Sequence, residues 1–529
     1  MNNQVPASLA GLPSEILHEV VPLLRRSDLL SLRLVNRRLG IHATHLLFRS
    51  VRLLGRQAIG HSPGPFRFVA LSEDAVFTRG PSELGPLRHL VREATLVTWA
   101  GSSAQRQNRW PQGPGDFINA LPNLRHFSHL SALHLRFSHL CGYSQVATPG
   151  FFIRDNQDFR YRVLDTTFRC LAGTWNVSDQ QYIDREINLN YATDYEMAQA
   201  VPGSTSMGPL PITTLTVSNL ADIPEERLTS SEAFKIVLSL PSLVDLKLHF
   251  TKHVQNFDGI WPSGKYKFFD TLPQTWLQPS IATNLKTLSL DSSSHWGWNP
   301  KMDFRLVNPT EGGFPNLKVL ALGSYVFSHA WQIDWIASQG SKTGGLEELH
   351  LDNCYVMYYA THLTPLDESI IVVGKDAEGN DIKVSNEGYQ RKDLILLSAV
   401  TWENGVRHRS PGTPGPMANT AYPIRWHDIL SQWQKSMTAL RVFKMGRGTR
   451  GKEKDRHCAG INEEDKHQLK YTRCSMLAAT QSEWFDHDRE LGPYESFDWS
   501  RIGKATRAKD RAALELLVST VNNRGQGVK

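Results

Sequence analysis

The stretch NLKTLSL, Asn284–Leu290, sets leucines at 285, 288 and 290 with small or polar residues between them. In a strand, side chains two apart share a face, so Leu288 and Leu290 point to one side while Thr287 and Ser289 point to the other. The same L-x-x-L-x-L spacing recurs at Leu130-Leu133-Leu135, Leu243-Leu246-Leu248, Leu317-Leu320-Leu322 and Leu346-Leu349-Leu351. Softer copies stand at Ile212-Leu215-Val217 and Leu440-Phe443-Met445. With leucine at roughly one position in ten, chance supplies about half a strict match in a chain of this length, so five strict copies are a repeat. Context supports them. Three follow or adjoin proline punctuation, at Leu240-Pro241-Ser242-Leu243, Phe314-Pro315-Asn316-Leu317 and Leu121-Pro122-Asn123-Leu124. Helical segments lie between copies: Ser231 is a candidate cap for Glu232 to Leu240, and Ser328 for His329 to Ser338 ahead of Gly344-Gly345. Leu29-Leu32-Leu34 has the same spacing inside a helical stretch, so spacing alone does not identify a strand.

A unit of strand, turn, helix and return cannot bury its own apolar face and must stack on its neighbours. The pattern resembles the leucine-rich repeat, which implies an α/β solenoid. The copies begin at 130, 212, 243, 285, 317, 346 and 440, wider and less regular than the ~20–29 residues of regular leucine-rich repeats. The long gaps are expected to hold degenerate units, around Tyr161 to Leu171 and Leu394 to Thr401, together with insertions. One insertion reads as a hairpin, Ile370-Ile371-Val372-Val373 against Asp381-Ile382-Lys383-Val384. Trp99 to Gly115, Val201 to Pro211 and His408 to Pro423 read as loops. A last helix over Ala505 to Val521 places Leu514, Leu517, Val518 and Val521 on one face, as a terminal cap would.

The N-terminal stretch LPSEILHEVVPLLRRSDLLSLRLVNRRL, Leu12–Leu39, is of a different kind. Pro13 suits a first helical turn, and Ile16, Leu17, Val20, Val21 and Leu24 follow at helical spacing. Ser27 is a natural N-cap for a second helix, Asp28 to Val35, with apolar residues nearly all round it. A third, from about Arg37 to Phe48, presents Leu39, Ile41, Leu46, Leu47 and Phe48. Three short helices in ~40 residues bury too small a fraction of their area to enclose this much apolar surface. Part of it must face something else.

The order Leu12-Pro13-x-Glu15-Ile16-Leu17, Leu24, Asp28-Leu29-Leu30-x-Leu32, Leu34-Val35-Asn36-Arg37-Arg38-Leu39 and Leu47-Phe48 resembles the F-box motif along its whole length. Leu39 stands where many family members carry Trp. The resemblance implies docking on the Skp-type adaptor of cullin–RING ubiquitin ligases, with Leu12, Pro13, Ile16, Leu17, Leu29, Leu32, Val35 and Leu39 as adaptor contacts. The expected domains are therefore an F-box over 8–54, a connector with a first irregular repeat over 55–120, a leucine-rich-repeat-like solenoid with insertions over 121–500, and a capping helix and tail over 501–529.

Composition is consistent with a soluble chain. Of 529 residues, 40% are hydrophobic and 21% charged, and no stretch approaches ~18 uninterrupted apolar residues. The opening residues lack a basic n-region, so neither secretion nor membrane insertion is expected. The five cysteines (Cys141, Cys170, Cys354, Cys458 and Cys474) form no CxxC pair, which suits a reducing cytoplasmic or nuclear setting without disulfides. The net charge of +6 is concentrated near the N-terminus, from Arg25 to Arg56, and over 441 to 456. No nucleic-acid motif accompanies either run, and solvated surface is the simpler reading.

Signals of chemistry are weak. GRGTRGKE, Gly446–Glu453, satisfies both G-x-G-x-x-G and G-x-x-x-x-G-K, but Glu453 replaces the Ser or Thr that holds Mg²⁺, and no amphipathic helix follows. A basic loop is the simpler reading, with a nucleotide-binding enzyme using Gly446–Lys452 as the rival. His126, His129, His134 and His139 lack paired ligand spacing, and His457, Cys458, His467 and Cys474 match no common zinc module. Asp486, His487 and Asp488 read as a polar loop. No catalytic residue, metal or cofactor is expected.

What the repeat does offer is the row of residues flanking its buried leucines, free to vary without disturbing the core. In this register they are Ala132, His134 and Arg136; Thr214, Thr216 and Ser218; Asp245, Lys247 and His249; Thr287, Ser289 and Asp291; Val319, Ala321 and Gly323; and Glu348, His350 and Asp352. Lys247, His249, Thr287, Ser289, Asp291, Glu348, His350 and Asp352 are the expected contacts to a target protein. Nearby Trp296, Trp298, Tyr325, Trp331, Trp335, Tyr355, Tyr358 and Tyr359 are of the types favoured as interface anchors, although many such aromatics pack in cores. The expectation is a non-catalytic substrate-recognition subunit of an SCF-type (Skp–cullin–F-box) ubiquitin ligase. Its alternative is a protein-binding scaffold without ligase activity.

Overall fold

A computed structural model describes residues 12–54, 69–70, 85–98, 115–139, 141–142, 155–187, 208–254, 263–376, 378–391, 400–403, 406–409, 416–448, 461–466, 468–475, 483–486 and 499–526. The chain is mixed α/β and rich in parallel strands. It divides into two compact units, one of Met1–Ser138, Asp158–Thr216 and Ser230–Leu240, the other of His139–Gln157, Val217–Thr229 and Pro241–Lys529.

The first unit opens with three helices, α1 (Ser14–Val20), α2 (Arg26–Val35) and α3 (Arg37–Leu47). The strands Ser50–Leu54, Glu93–Val97 and Ala132–Arg136 follow, paired in parallel, with Val69–Ala70 antiparallel on the first. Two of these strands carry apolar triads that a strict leucine pattern does not find: Phe48-Val51-Leu53 and Val91-Ala94-Leu96, all buried like Leu130-Leu133-Leu135. The amides of Arg92, Ser131 and Thr213 donate to the carbonyls of Arg49, Arg92 and Ser131, which fixes each entry turn on its neighbour. Tyr161 to Leu171 belongs to one helix, Gln157–Ala172, buried on every side. Among its buried charges, Arg162 pairs with Asp184 and Asp165 with Arg169, while Arg160 donates to the Ser138 carbonyl. Ser231 caps Glu232–Leu238 as expected, its Oγ accepting from the Phe234 amide at 3.2 Å.

In the second unit Asp245–Thr251, Thr287–Ser292, Val319–Gly323, Glu348–Asp352 and Val442–Gly448 pair in parallel, and Ile461–Lys466 adds antiparallel to the last. Register is set by the leucines: Leu246, Leu288, Leu320, Leu349 and Phe443 stand abreast, as do Leu248, Leu290, Leu322, Leu351 and Met445. All are buried. A one-residue slip would turn these positions to the opposite face. The amides of Lys286, Lys318, Glu347 and Arg441 each donate at 2.8 Å to the preceding copy, at Val244, Lys286, Lys318 and Glu347.

Ser324 and Asn353 end their strands in the left-handed region, with φ of 58° and 53°. The chain then enters a second sheet, where Val326–Phe327 and Tyr355–Leu363 pair in parallel and Lys470–Ser475 joins the latter. The expected hairpin forms, Ile370–Lys375 against Asp381–Ser385. The loop expected over His408 to Pro423 instead contains Met417–Ala421, a strand paired antiparallel with Tyr355–Leu363. Ser328 is not the residue that starts its helix: Ala330–Ser338 begins two residues later, and the Gln332 side-chain oxygen Oε1 accepts from the amides of Ser328 and His329.

The C-terminal helix, Trp499–Gln526, is longer than expected and is anchored by polar as well as apolar groups. Leu514, Leu517 and Val521 are buried. Asp510, 0% exposed, accepts from the His427 amide at 2.9 Å and the Tyr471 hydroxyl at 2.7 Å, with His427 Nδ1 2.6 Å away. Arg524 donates to the Gln434 and Met437 carbonyls at the end of the Trp426–Ser436 helix.

Among the described residues no helix is long and apolar enough to cross a membrane. Cys141, Cys170, Cys354 and Cys474 are free thiols.

Candidate functional site

The N-terminal helices form a small core and leave an apolar outer surface. Ser27 does not cap α2, which begins at Arg26; the Asp28 carboxylate accepts from the Arg25 amide. Asn36 caps α3 by accepting from the Leu39 amide at 2.9 Å. A Cβ at Gly40 would lie 2.8 Å from the Arg33 carbonyl, so glycine lets α3 approach α2 closely. Leu17, Leu29, Leu32, Leu39, Ala43 and Leu47 fill the interior. Of the eight residues read as adaptor contacts, Leu17, Leu29, Leu32 and Leu39 therefore lie in this core, Leu12 is half-buried, and Pro13, Ile16 and Val35 are exposed. The apolar surface is largest at Leu34, Leu23 and Val35, which are 86%, 83% and 65% exposed, with Ile41 and Ile16 about half exposed. Leu23, Leu34 and Ile41 were not assigned a role from sequence, because helical periodicity does not say which side of an apolar helix turns inward.

The target-contact residues fall into three rungs on one face of the second unit's parallel strands. Asp245, Thr287, Val319, Glu348 and Val442 stand abreast; then Lys247, Ser289, Ala321, His350 and Lys444; then His249, Asp291, Gly323, Asp352 and Gly446. All eight predicted contacts are thus brought together. The side chains pair along the strands: Lys247 with Asp245 at 2.9 Å, and His350 Nε2 with Glu348 at 3.1 Å. Across them, His249 Nε2 lies 3.8 Å from Asp291. Burial holds the His350 imidazole below its usual pKa, against the raising effect of Glu348. Ser289, His249 and His350 are buried, so Asp245, Lys247, Asp291, Glu348 and Asp352 supply most of the accessible polar surface.

Most of the expected aromatic anchors belong to the interior. Trp296, Trp298, Tyr325, Trp335, Tyr355 and Tyr358 are buried, while Trp331 and Tyr359 are half-buried. Trp298 Nε1 donates to the Gly388 carbonyl at 3.1 Å, and the Tyr422 hydroxyl donates to the same oxygen at 2.6 Å. Together with Lys301 on Asn386 and Arg305 on the Ser385 carbonyl, they fasten the base of the hairpin insertion.

Among the described residues no group of three or more His, Cys, Asp or Glu side chains is placed to hold a metal ion. His126 is pushed down to about 4 by burial and then by Arg125 and Arg88, a neutral packed imidazole. His457, Cys458 and His467 lie outside the described residues. Of the Gly446–Lys452 stretch, Gly446 to Gly448 continue the Val442–Gly448 strand, and the remainder lies outside the described residues. In comparison with known proteins, the chain matches no family model, no curated protein and no solved structure.

Proposed function

We propose that the chain is a non-catalytic substrate-recognition subunit of an SCF-type ubiquitin ligase, with the N-terminal helices as an F-box and the apolar triads as an irregular leucine-rich-repeat solenoid. The observation that carries the reading is the exposure of Leu23, Leu34 and Val35 on helices whose own core is already closed by Leu17, Leu29, Leu32 and Leu39. Apolar side chains exposed in this way mark an interaction surface, and the F-box resemblance names the Skp-type adaptor as its occupant. The stacked triads and the polar rungs beside them support a second binding surface, for the target. Binding both partners would raise the effective concentration of a target lysine near a recruited conjugating enzyme, with no chemistry in this chain.

The test is capture of purified Skp-type adaptor by the full-length protein. A Leu34→Asp, Val35→Asp double variant, altered only at exposed positions, is expected to lose capture while keeping its fold. Absence of capture by folded wild type would remove the ligase assignment. Capture without turnover of any bound target would leave a scaffold.

A further inference from the structure

We propose that the hairpin insertion of the second unit is a self-pairing edge: two copies of this chain associate antiparallel along the strand Ile370–Lys375, about a two-fold axis at Ile371. The first ground is an open edge. The Asn386 amide donates to the Ser369 carbonyl at 2.8 Å, and Ile370, Ile371 and Val372 stand opposite Ser385, Val384 and Lys383. Successive residues of an antiparallel strand turn their polar backbone groups to alternate sides. Ile371 therefore faces the other strand of the hairpin, while Ile370 and Val372 present N–H and C=O to the outside. Among the described residues no third strand joins this sheet. The register shifts after Val372, which confines the regular edge to this short stretch.

The second ground is the side chains. Ile370 and Val372 are 68% and 56% exposed. The opposite face of the hairpin turns inward: Val384 is buried, and a Cβ at Gly374 would meet Pro309 Cγ at 2.8 Å. Lys301 on Asn386 and Arg305 on the Ser385 carbonyl hold the base, so the strand is in place before any mate arrives and little ordering opposes pairing. An exposed apolar edge of this kind is a template for another chain. The hairpin's other edge is guarded by the exposed charges of Asp381 and Lys383.

The third ground is self-complementarity, and it names a second copy as the occupant. With Ile371 on the axis, Ile370 of one copy stands opposite Val372 of the other. The residues whose backbone groups face the edge then exchange both bonds with each other, and their outward side chains close into one apolar patch. A shift of one residue would set outward side chains against inward ones. No charged residue lies between Glu368 and Lys375, so an antiparallel mate brings Glu368 of each copy towards Lys375 of the other, whereas a parallel mate would set like charges together. Glu368 is exposed, and Lys375, 3.6 Å from Asp381, keeps 70% of its side chain exposed.

Sedimentation velocity of the full-length protein over about 1–100 µM reads the association, since an interface this small gives a dissociation constant in the micromolar range. Wild type is expected to pass from monomer to dimer across that interval. Val372→Lys places a charge in the patch at an exposed position and should weaken the dimer at least about tenfold. Glu368→Lys should weaken it about threefold, and adding Lys375→Glu should restore it, as an antiparallel mate requires. The Leu34→Asp, Val35→Asp variant should dimerise as wild type does, which separates this edge from the exposed N-terminal helices. A wild type that stays monomeric throughout, or a dimer that Val372→Lys leaves intact, would overturn the inference; so would a dimer lost only in the Leu34→Asp, Val35→Asp variant. Should Val372→Lys lower the melting temperature, Ile370→Lys, at the more exposed neighbour on the same edge, gives the same comparison.

Discussion

Asp291 lies against the backbone of Gly323: a Cβ added at Gly323 would meet Asp291 Oδ1 at 2.0 Å and its Cγ at 2.5 Å. The glycine is required by this close approach of a neighbouring strand's carboxylate, which fills the space a side chain would take.

Gly323→Ala should therefore destabilise the second unit by about 1–3 kcal/mol, the usual cost of overpacking. Asp291→Ala removes the nearest atoms and should restore part of the loss. Thermal unfolding of the two single variants and the double gives the coupling; strictly additive effects would show that the two side chains do not compete for this space.

Asp510 is the buried acceptor for the His427 amide and the Tyr471 hydroxyl. Asp510→Ala leaves both donors unpaired, at about 1–3 kcal/mol each. Hydrogen exchange over the C-terminal helix should accelerate sharply, while Glu515→Ala, at an exposed position of the same helix, leaves it unchanged.

His329 is pushed down to about 4, mainly by burial, against the raising effect of its hydrogen bond to the Glu387 carbonyl and with Arg305 and Lys301 lowering it further. Its ring stacks on Tyr389 at 4.1 Å, and the neutral imidazole already serves both neighbours, the Glu387 carbonyl at 3.0 Å and the Ser328 hydroxyl at 2.7 Å. Because the folded pKa is depressed, the unfolded chain takes up the proton first on acidification. The stabilisation is complete above the unfolded value of 6.5 and is lost as pH falls from there towards about 4. Between pH 7 and pH 5 this amounts to about 2 kcal/mol. His329→Asn should melt with a shallower dependence on pH over that interval; an unchanged slope would refute the assignment.

Leu32→Ala should cost about 2–5 kcal/mol, as a core truncation does, and Leu34→Ala within about 0.5 kcal/mol. Hydrogen exchange in α1 to α3 reads the difference directly. Comparable protection loss in both variants would contradict the division between the interior and the outer surface.

The sequence was most informative where one residue type repeated at fixed spacing. Leu288 and Leu290 announced a strand and its buried side, and the same reading placed Ser289 and Asp291 together with Lys247 and His350. It missed Val91-Ala94-Leu96 because no leucine marks its first two positions. It made Leu29 and Leu32 outward contacts and gave Leu34 no role, the reverse of their burial, since α2 is apolar nearly all round and only the packing of α1 and α3 decides which side closes. Trp296 and Trp298 are of the type expected at an interface, yet aromatic neighbours and the Gly323 and Gly388 carbonyls, to which their indole N–H groups donate, draw them inside. Asp510 was illegible for a different reason: its partners, His427 and Tyr471, are 83 and 39 residues away, and no local pattern signals them.

Neighbouring strands keep their register whatever the length of chain between them. Glu348 stands beside Val319, 29 residues earlier, and beside Val442, 94 residues later. The intervening lengths differ threefold, yet the leucines stay abreast, because the entry-turn amides and the apolar triads fix each strand without reference to what connects it to the next. Insertions and deletions between strands are thus absorbed away from the sheet, and the connecting segments are free to diverge in length during evolution while the rungs keep their alignment.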